Sequence, residues 1–218
     1  MSSDTRAIKD SLYEQVARMG KVFASPKRLE LIELLCQSEK TVEMLAEQAA
    51  ISMKLASSHL RELPEANVVA TERQGKNIVY RLADKAVAQV WVHLHLLAES
   101  RLVELQSALQ KISATPDDLV PSDRESLLKM ARRGEVVVLD VRPTEEYLSA
   151  HLPFARSIPL AELRTRLDEL PKDRPVVAYC RGPYCLMAKD AVELLRAAGL
   201  QSVHLRDGVA EWSLAVGT

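Results

Sequence analysis

The sequence predicts two domains, a mainly-α half that closes with a β-hairpin and an α/β half with a central parallel sheet flanked by helices. Three observations carry this. Residues 25–63 hold successive helical patterns with clear start signals, and residues 68–82 then alternate in the manner of two short strands. From 136 onward, apolar strand-like runs alternate with helical patterns, the signature of βα units. Between the halves lies the polar, proline-bearing stretch 113–121, which reads as a linker. The 218 residues, 47% of them hydrophobic, suit two cores of about 100 residues each. The predicted boundaries are therefore 1–114 for the first domain, 115–121 for the linker and 122–218 for the second domain.

Along the first half, Ile8, Leu12, Val16, Met19 and Phe23 recur on one face of an opening helix. Ser25 and Pro26 then start a second helix carrying Leu29, Ile32, Leu35 and Cys36. Thr41 caps a helix over 42–48, Ala49-Ala50-Ile51 turns, and Ser52 caps a further helix over 53–63. In that last helix Leu55 and Leu60 are expected to face inward, while Lys54, Ser57, Ser58 and Arg61 stay polar. Pro64 is expected to interrupt its final turn, and Asn67 to accept a left-handed backbone. Residues 68–82 form the hairpin around Gly75. A long helix from Lys85 to Ile112 follows, with Val87, Val90, Trp91, Leu94, Leu97, Leu102, Leu105 and Leu109 apolar. These two apolar helices hold more than one small core needs. Trp91 is expected in the core.

The order of helices, the Ser52 to Leu63 segment and the hairpin after it resemble the ArsR-type winged helix-turn-helix repressors over roughly residues 8–112. The resemblance implies double-stranded DNA as partner. It also implies a homodimer whose terminal helices pair, so that two recognition helices read half-sites about one DNA turn apart. Lys54 and the hydroxyls of Ser52, Ser57 and Ser58 would touch base edges, Arg61, Arg73, Lys76 and Arg81 would meet phosphates, and His59 belongs to the same DNA-binding set. Net charge adds little: 1–114 carries fifteen Lys and Arg against fourteen Asp and Glu, whereas 52–81 carries five against three. Attraction to DNA must come from that local stripe. The bland alternative is a fold retained only for dimerisation.

In the second half, Ser122 and Glu125 form a capping box that opens the domain. A strand then ends at Val176-Val177-Ala178-Tyr179, followed by Cys180, Arg181, Gly182, Pro183, Tyr184 and Cys185, and a helix starts after them. A thiolate placed at a helix N-terminus beside Arg181 should have its pKa lowered below about 8.5. The same amides would cradle an anion. Arg181 itself reads either as part of that charge or as a solvated loop arginine. A phosphate-handling cysteine would call for an arginine six positions on, and Leu186 stands there.

This loop, with Asp140-Val141-Arg142, Glu145-Glu146-Tyr147, the stretch Ala150 to Pro159 and the closing Gly208 to Trp212, resembles the rhodanese-like sulfurtransferases over roughly residues 121–214. Ala150 and Phe154 stand where that family has glycine, so a changed local turn is expected. The resemblance implies that Cys180 takes sulfane sulfur from thiosulfate, a polysulfide or a low-molecular-weight persulfide, holds it as a persulfide and passes it to a thiol acceptor. Asp140 and Arg142 read as support for the loop, and Trp212 as core. Cys185 is open to two readings. It is a resolving thiol that closes a disulfide with Cys180, or its side chain points away and takes no part.

Three cysteines are too few for a disulfide scaffold, and no apolar run of 18 residues appears, so a cytoplasmic protein with reduced thiols is expected. No cofactor or metal is expected: the helix at 42–48 holds no cysteine, and His93 and His95 point in different directions on one helix. A metal shared between subunits through His95 and Glu99 is the remaining metal reading. The functional expectation is a homodimeric DNA-binding transcriptional regulator responding to sulfur at Cys180, with sulfurtransferase activity of the thiosulfate type. The alternatives are a sulfurtransferase tethered to DNA without coupling, and an arsenate- or phosphate-handling enzyme.

Overall fold

A computed structural model describes residues 3–112 and 124–216. The expected linker 115–121 and Ser122 of the capping box lie outside the described residues. The chain divides into two compact units, Met1–Trp91 and Val92–Thr218.

The first unit runs α1 (Ser3–Phe23), α2 (Pro26–Gln37), β1 (Lys40–Thr41), α3 (Val42–Gln48), α4 (Met53–Glu65), β2 (Val69–Gln74) and β3 (Asn77–Leu82), and α5 (Lys85–Arg101) begins within it. The three strands form an antiparallel sheet in the order β1-β3-β2. Leu31, Ile32, Leu45, Leu60 and Leu63 are fully buried and make the core on which α4 sits. Thr41 caps α3 by accepting from the Met44 amide, and Ser52 caps α4 by accepting from the Leu55 amide. Trp91 is buried, as expected.

Three details differ from the sequence expectation. α4 does not stop before Pro64 but runs to Glu65, because a proline near the helix end removes one donor without breaking the turn. Leu55 is 42% exposed. The buried stripe of α4 is Ala56, Leu60 and Leu63, spaced i, i+4, i+7, and Leu55 lies one residue off it. The long helix is divided at Leu102, with α6 (Val103–Ile112) beyond it. There the Gln106 side chain donates to the Glu99 carbonyl at 2.7 Å, taking the acceptor that a continuous helix offers to residue 103.

Both helices flanking the recognition turn end in the same way. Ala50 (φ 49°) closes α3, with the Ile51 amide reaching the Ala46 carbonyl. Asn67 (φ 54°) closes α4, with the Val68 amide reaching the Leu63 carbonyl.

The second unit continues through α6, α7 (Arg124–Arg133), β4 (Val137–Asp140), α8 (Thr144–Ser149), β5 (Arg156–Ser157) and α9 (Leu160–Leu163). A 3-10 turn (Leu167–Glu169), β6 (Val176–Tyr179), α10 (Met187–Ala197), β7 (Ser202–His204) and α11 (Val209–Val216) complete it. All four strands are parallel, in the order β5-β4-β6-β7. The two inner strands, β4 and β6, are buried on both faces, which explains their apolar runs. Val176, Ala178 and Cys180 pack with Leu163, Ala188, Ala191 and Leu195, while Val177 and Tyr179 pack on the opposite face with Leu127 and Trp212. Alternation along β6 thus delivers Cys180 to the α10 side of the sheet. At Phe154, where the sequence led to a changed turn, the residue adopts φ 65° and is 57% exposed.

Ala50 is exposed and holds a left-handed backbone. Ala50→Gly should therefore raise stability by about 1 kcal/mol, read as a higher denaturation midpoint.

Candidate functional site

On α4, Lys54, Ser57, Ser58 and Arg61 are exposed together on the face away from Ala56, Leu60 and Leu63, and His59 is half-buried. Ser52 is exposed, with its hydroxyl holding the Leu55 amide at 3.2 Å. On the hairpin, Arg73, Lys76 and Arg81 are exposed, and Arg73 bends back to donate to the Gly75 carbonyl at 3.3 Å.

The second site lies where β6 ends. Cys180 is 1% exposed and Cys185 is half-buried. The Cys180 thiol donates to the Cys185 carbonyl at 3.3 Å, and the two thiols also hydrogen-bond to each other. The side chains therefore face one another rather than pointing apart. Their acidities differ from the sequence expectation. Burial pushes the Cys180 thiol well up, against the amides of Ala188 and Gly182. Cys185 is lowered to about 7 by the hydrogen bond from Cys180, then by the amides of Arg181 and Met187 and the charge of Arg181. The loop does make an ionised sulfur near neutral pH, but in the reduced state it rests on Cys185.

Two buried pairs support the loop from one side. Asp140 and Arg142 are both fully buried and joined at 2.6 Å, and Arg142 also donates to the Ala150 carbonyl at 2.7 Å. Tyr179 donates to Asp140 at 2.5 Å and accepts from the Leu152 amide, and burial followed by the Asp140 charge pushes its pKa up. The guanidinium of Arg181 turns onto the fully buried Glu146 at 2.7 Å, so it braces the loop as an ion pair and is not a solvated side chain. Asp140 with Arg142 and Glu146 with Arg181 are thus buried ion pairs, and the sequence named Glu146 within its Glu145-Glu146-Tyr147 motif but gave it no part in holding Arg181.

A third group backs the loop from the other side. Gly208 lies so close that a Cβ there would stand 2.3 Å from the Arg181 carbonyl oxygen. Gly182 holds φ 149°, and a Cβ on it would meet both oxygens of Glu211 at 3.2 Å. Glu211 accepts from the Gly208 amide at 2.8 Å and takes Nε2 of His95 at 3.2 Å, while Nδ1 of His95 faces Glu99 at 3.2 Å. Arg206 pairs with the other oxygen of Glu99. The Tyr184 ring stands edge-on to the imidazole, 5.7 Å between centroids. The sequence offered a metal shared between subunits through His95 and Glu99; within one chain the imidazole bridges two carboxylates. Glu211 carried no signal beyond its place between Gly208 and Trp212.

A cavity of about 400 Å³ opens near the start of β4 and β6, lined by Val136, Phe154, Arg156, Asp168 and Arg174 among others. It includes neither cysteine, so its volume has no bearing on the thiols. No described helix is long and apolar enough to cross a membrane.

Comparison with known proteins matches residues 25–71 to the bacterial regulatory protein, arsR family, and residues 123–215 to the rhodanese-like domain. The chain is 41% identical over 207 residues to the HTH-type transcriptional regulator Rv0324 of Mycobacterium tuberculosis, spanning 95% of this chain and 91% of that one. The chain belongs to that regulator's family. It is an ArsR-type helix-turn-helix protein joined to a rhodanese-like domain. The ArsR–rhodanese chain is also 33% identical over 93 residues to a sulfurtransferase of Allochromatium vinosum, covering 42% of this chain and 85% of the relative. Among solved structures, a homodimeric winged helix-turn-helix DNA-binding fragment from Mycobacterium bovis matches with 33% identity and a TM-score of 0.42, over 48% of this chain and 94% of that one.

Two measurements check this geometry. Glu146→Ala strands the 12%-exposed Arg181 side chain and should cost about 3 kcal/mol in chemical denaturation. Burial alone would push His95 down, but the hydrogen bonds and charges of Glu211 and then Glu99 outweigh it and raise its pKa above the ordinary value. A raised folded-state pKa gives stability that is fully present below about 6.5 and is lost as pH rises through the higher folded value. Stability measured from pH 6 to 9 should therefore fall over that window in the wild type, and His95→Gln should flatten the fall.

Proposed function

We propose that the protein is a homodimeric, cytoplasmic transcription regulator whose Cys180 loop accepts sulfane sulfur and whose affinity for an operator changes when it does. Membership of a transcriptional regulator family, and the exposed face of Lys54, Ser57, Ser58 and Arg61 with His59 beside it, support duplex DNA as partner. Ser52 orients that helix, and Arg73, Lys76 and Arg81 supply phosphate contacts. Exposed apolar side chains on α1 (Ile8, Leu12, Val16) and on the α5–α6 stretch (Val90, Leu97, Leu102) support a second copy as their cover.

The observation that carries the chemistry is the thiol pair facing the loop amides of Arg181 and Gly182 and the α10 amides of Met187 and Ala188, with Cys185 lowered to about 7. Cys185 as thiolate takes the proton from Cys180 while the Cys180 sulfur attacks the outer sulfur of thiosulfate. The S–S bond of thiosulfate breaks, sulfite leaves with its electron pair, and the new S–S bond leaves a persulfide anion on Cys180. A small thiol then attacks the outer sulfur, carries it off as a persulfide and returns Cys180 to the thiol. When no acceptor comes, Cys185 gives the proton it took to the outer sulfur and, as thiolate, attacks the inner sulfur, forming the Cys180–Cys185 disulfide and releasing hydrosulfide. Leu186, half-exposed where a phosphate clamp would stand, speaks against phosphoryl or arsenate chemistry.

Intact-protein mass spectrometry after thiosulfate or polysulfide should show a gain of one sulfur that Cys180→Ser abolishes. Anisotropy titration of a duplex selected from random sequence should give affinities for reduced and sulfur-loaded protein that differ about tenfold. In the same assay Arg73→Ala should reduce the salt slope by about one. Equal affinity for the reduced, loaded and Cys180→Ser proteins would leave a sulfurtransferase tethered to DNA.

A further inference from the structure

We infer that His95 is a positioning residue for the sulfur-accepting loop, because its imidazole joins Glu99 to Glu211 and neutralises the carboxylate on which Gly182 of that loop rests. This rests on the reading that Cys180 takes up sulfur from an anionic donor. The bridge lies within the second unit, and its members are nearly sealed: the His95 side chain is 1% exposed, Glu211 5% and Glu99 11%. Each nitrogen of the ring points at a carboxylate oxygen, an arrangement that both N–H groups of the imidazolium satisfy and that a neutral ring satisfies only in part.

The charges around the imidazole settle what it does for the loop. From its own helix comes Glu99, whose other oxygen is already paired with Arg206 from the strand-to-helix connection before α11. From α11 comes Glu211, whose other oxygen is held by the neutral Gly208 amide. From the loop comes the Tyr184 ring, and the nearby Arg181 has its guanidinium on Glu146. Among these groups the full positive charge on Glu211 is that of His95. Without it, a buried negative charge would press on Gly182 from behind a loop that must keep one sulfur ionised and admit an anion. Low dielectric makes that repulsion act at short range with little screening. His95 touches neither sulfur. It acts through Glu211 and through the edge of Tyr184.

The test is the pH dependence of iodoacetamide alkylation of the full-length protein, read at Cys180 and Cys185 by peptide mass spectrometry, together with sulfur-uptake kinetics. In the wild type the first thiol ionisation should centre near pH 7, as the lowered Cys185 requires. His95→Gln should raise that midpoint by about one pH unit and raise KM for thiosulfate roughly tenfold. KM for an uncharged donor, dimethyl trisulfide, should stay unchanged. Adding Glu211→Gln to His95→Gln should restore both values. Glu211→Gln alone should move the midpoint down, the direction opposite to that of loosened packing, and it decides the matter if His95→Gln does not fold. Unmoved midpoints in these variants overturn the inference. So does equal loss with both donors that Glu211→Gln fails to restore. Failure of wild-type protein to gain sulfur would instead overturn the functional reading, and the alkylation midpoints would still decide the part played by His95.

Discussion

Backbone amides can converge on a sulfur atom only when the loop that carries them is held by something else, and in this protein the holding is done by buried charge. Asp140 with Arg142, Glu146 with Arg181, and the chain Glu99–His95–Glu211 lie about the Cys180 loop and the neighbouring end of β4. Taking such groups out of water costs several kcal/mol per ion, so they add little net stability. What they contribute is geometry. Three of these side chains also anchor backbone: Asp140 accepts from the Arg142 amide, Glu211 accepts from the Gly208 amide, and Arg142 donates to the Ala150 carbonyl. Removing one partner strands the other in a dry place, which makes the framework specific to this loop conformation.

Within that frame the two thiols share a single set of donors. A buried sulfur at the strand end meets desolvation that the amides of Ala188 and Gly182 offset only in part, so its proton is held tightly. Five residues on, Cys185 receives the Cys180 hydrogen bond and two amides with less burial to overcome, and it ionises first. One cysteine at a helix start is an activated nucleophile by itself. Two of them facing each other become a proton donor and its acceptor, and the acidity belongs to the pair.

Much of the fold was legible because it rests on local rules. Ser25-Pro26, Thr41 and Ser52 start helices where the sequence placed them, and Asn67 takes the left-handed conformation that asparagine tolerates. The Cys180 loop was legible from an apolar strand meeting glycine, proline and a helix. Misplaced details came from neighbours rather than from propensity. Leu55 faces out because the core selects the Ala56, Leu60 and Leu63 stripe. The long helix breaks at Leu102 because a glutamine four residues on takes the Glu99 carbonyl. Phe154 accepts φ 65° because the surrounding turn demands it.

The sequence by itself determined the two-domain composition, the capped helices with their hairpin, the parallel βα pattern and the cysteine at a strand end, since each depends on residues within a few positions of one another. The tertiary structure alone decided which groups meet behind that cysteine. Glu146 reaches Arg181 across 35 positions and His95 reaches Glu211 across 116, and no periodicity or spacing encodes a pairing at that range. It also decided which sulfur is ionised, because a thiol's acidity follows from its burial and its hydrogen-bond donors, and these exist only once the chain has folded.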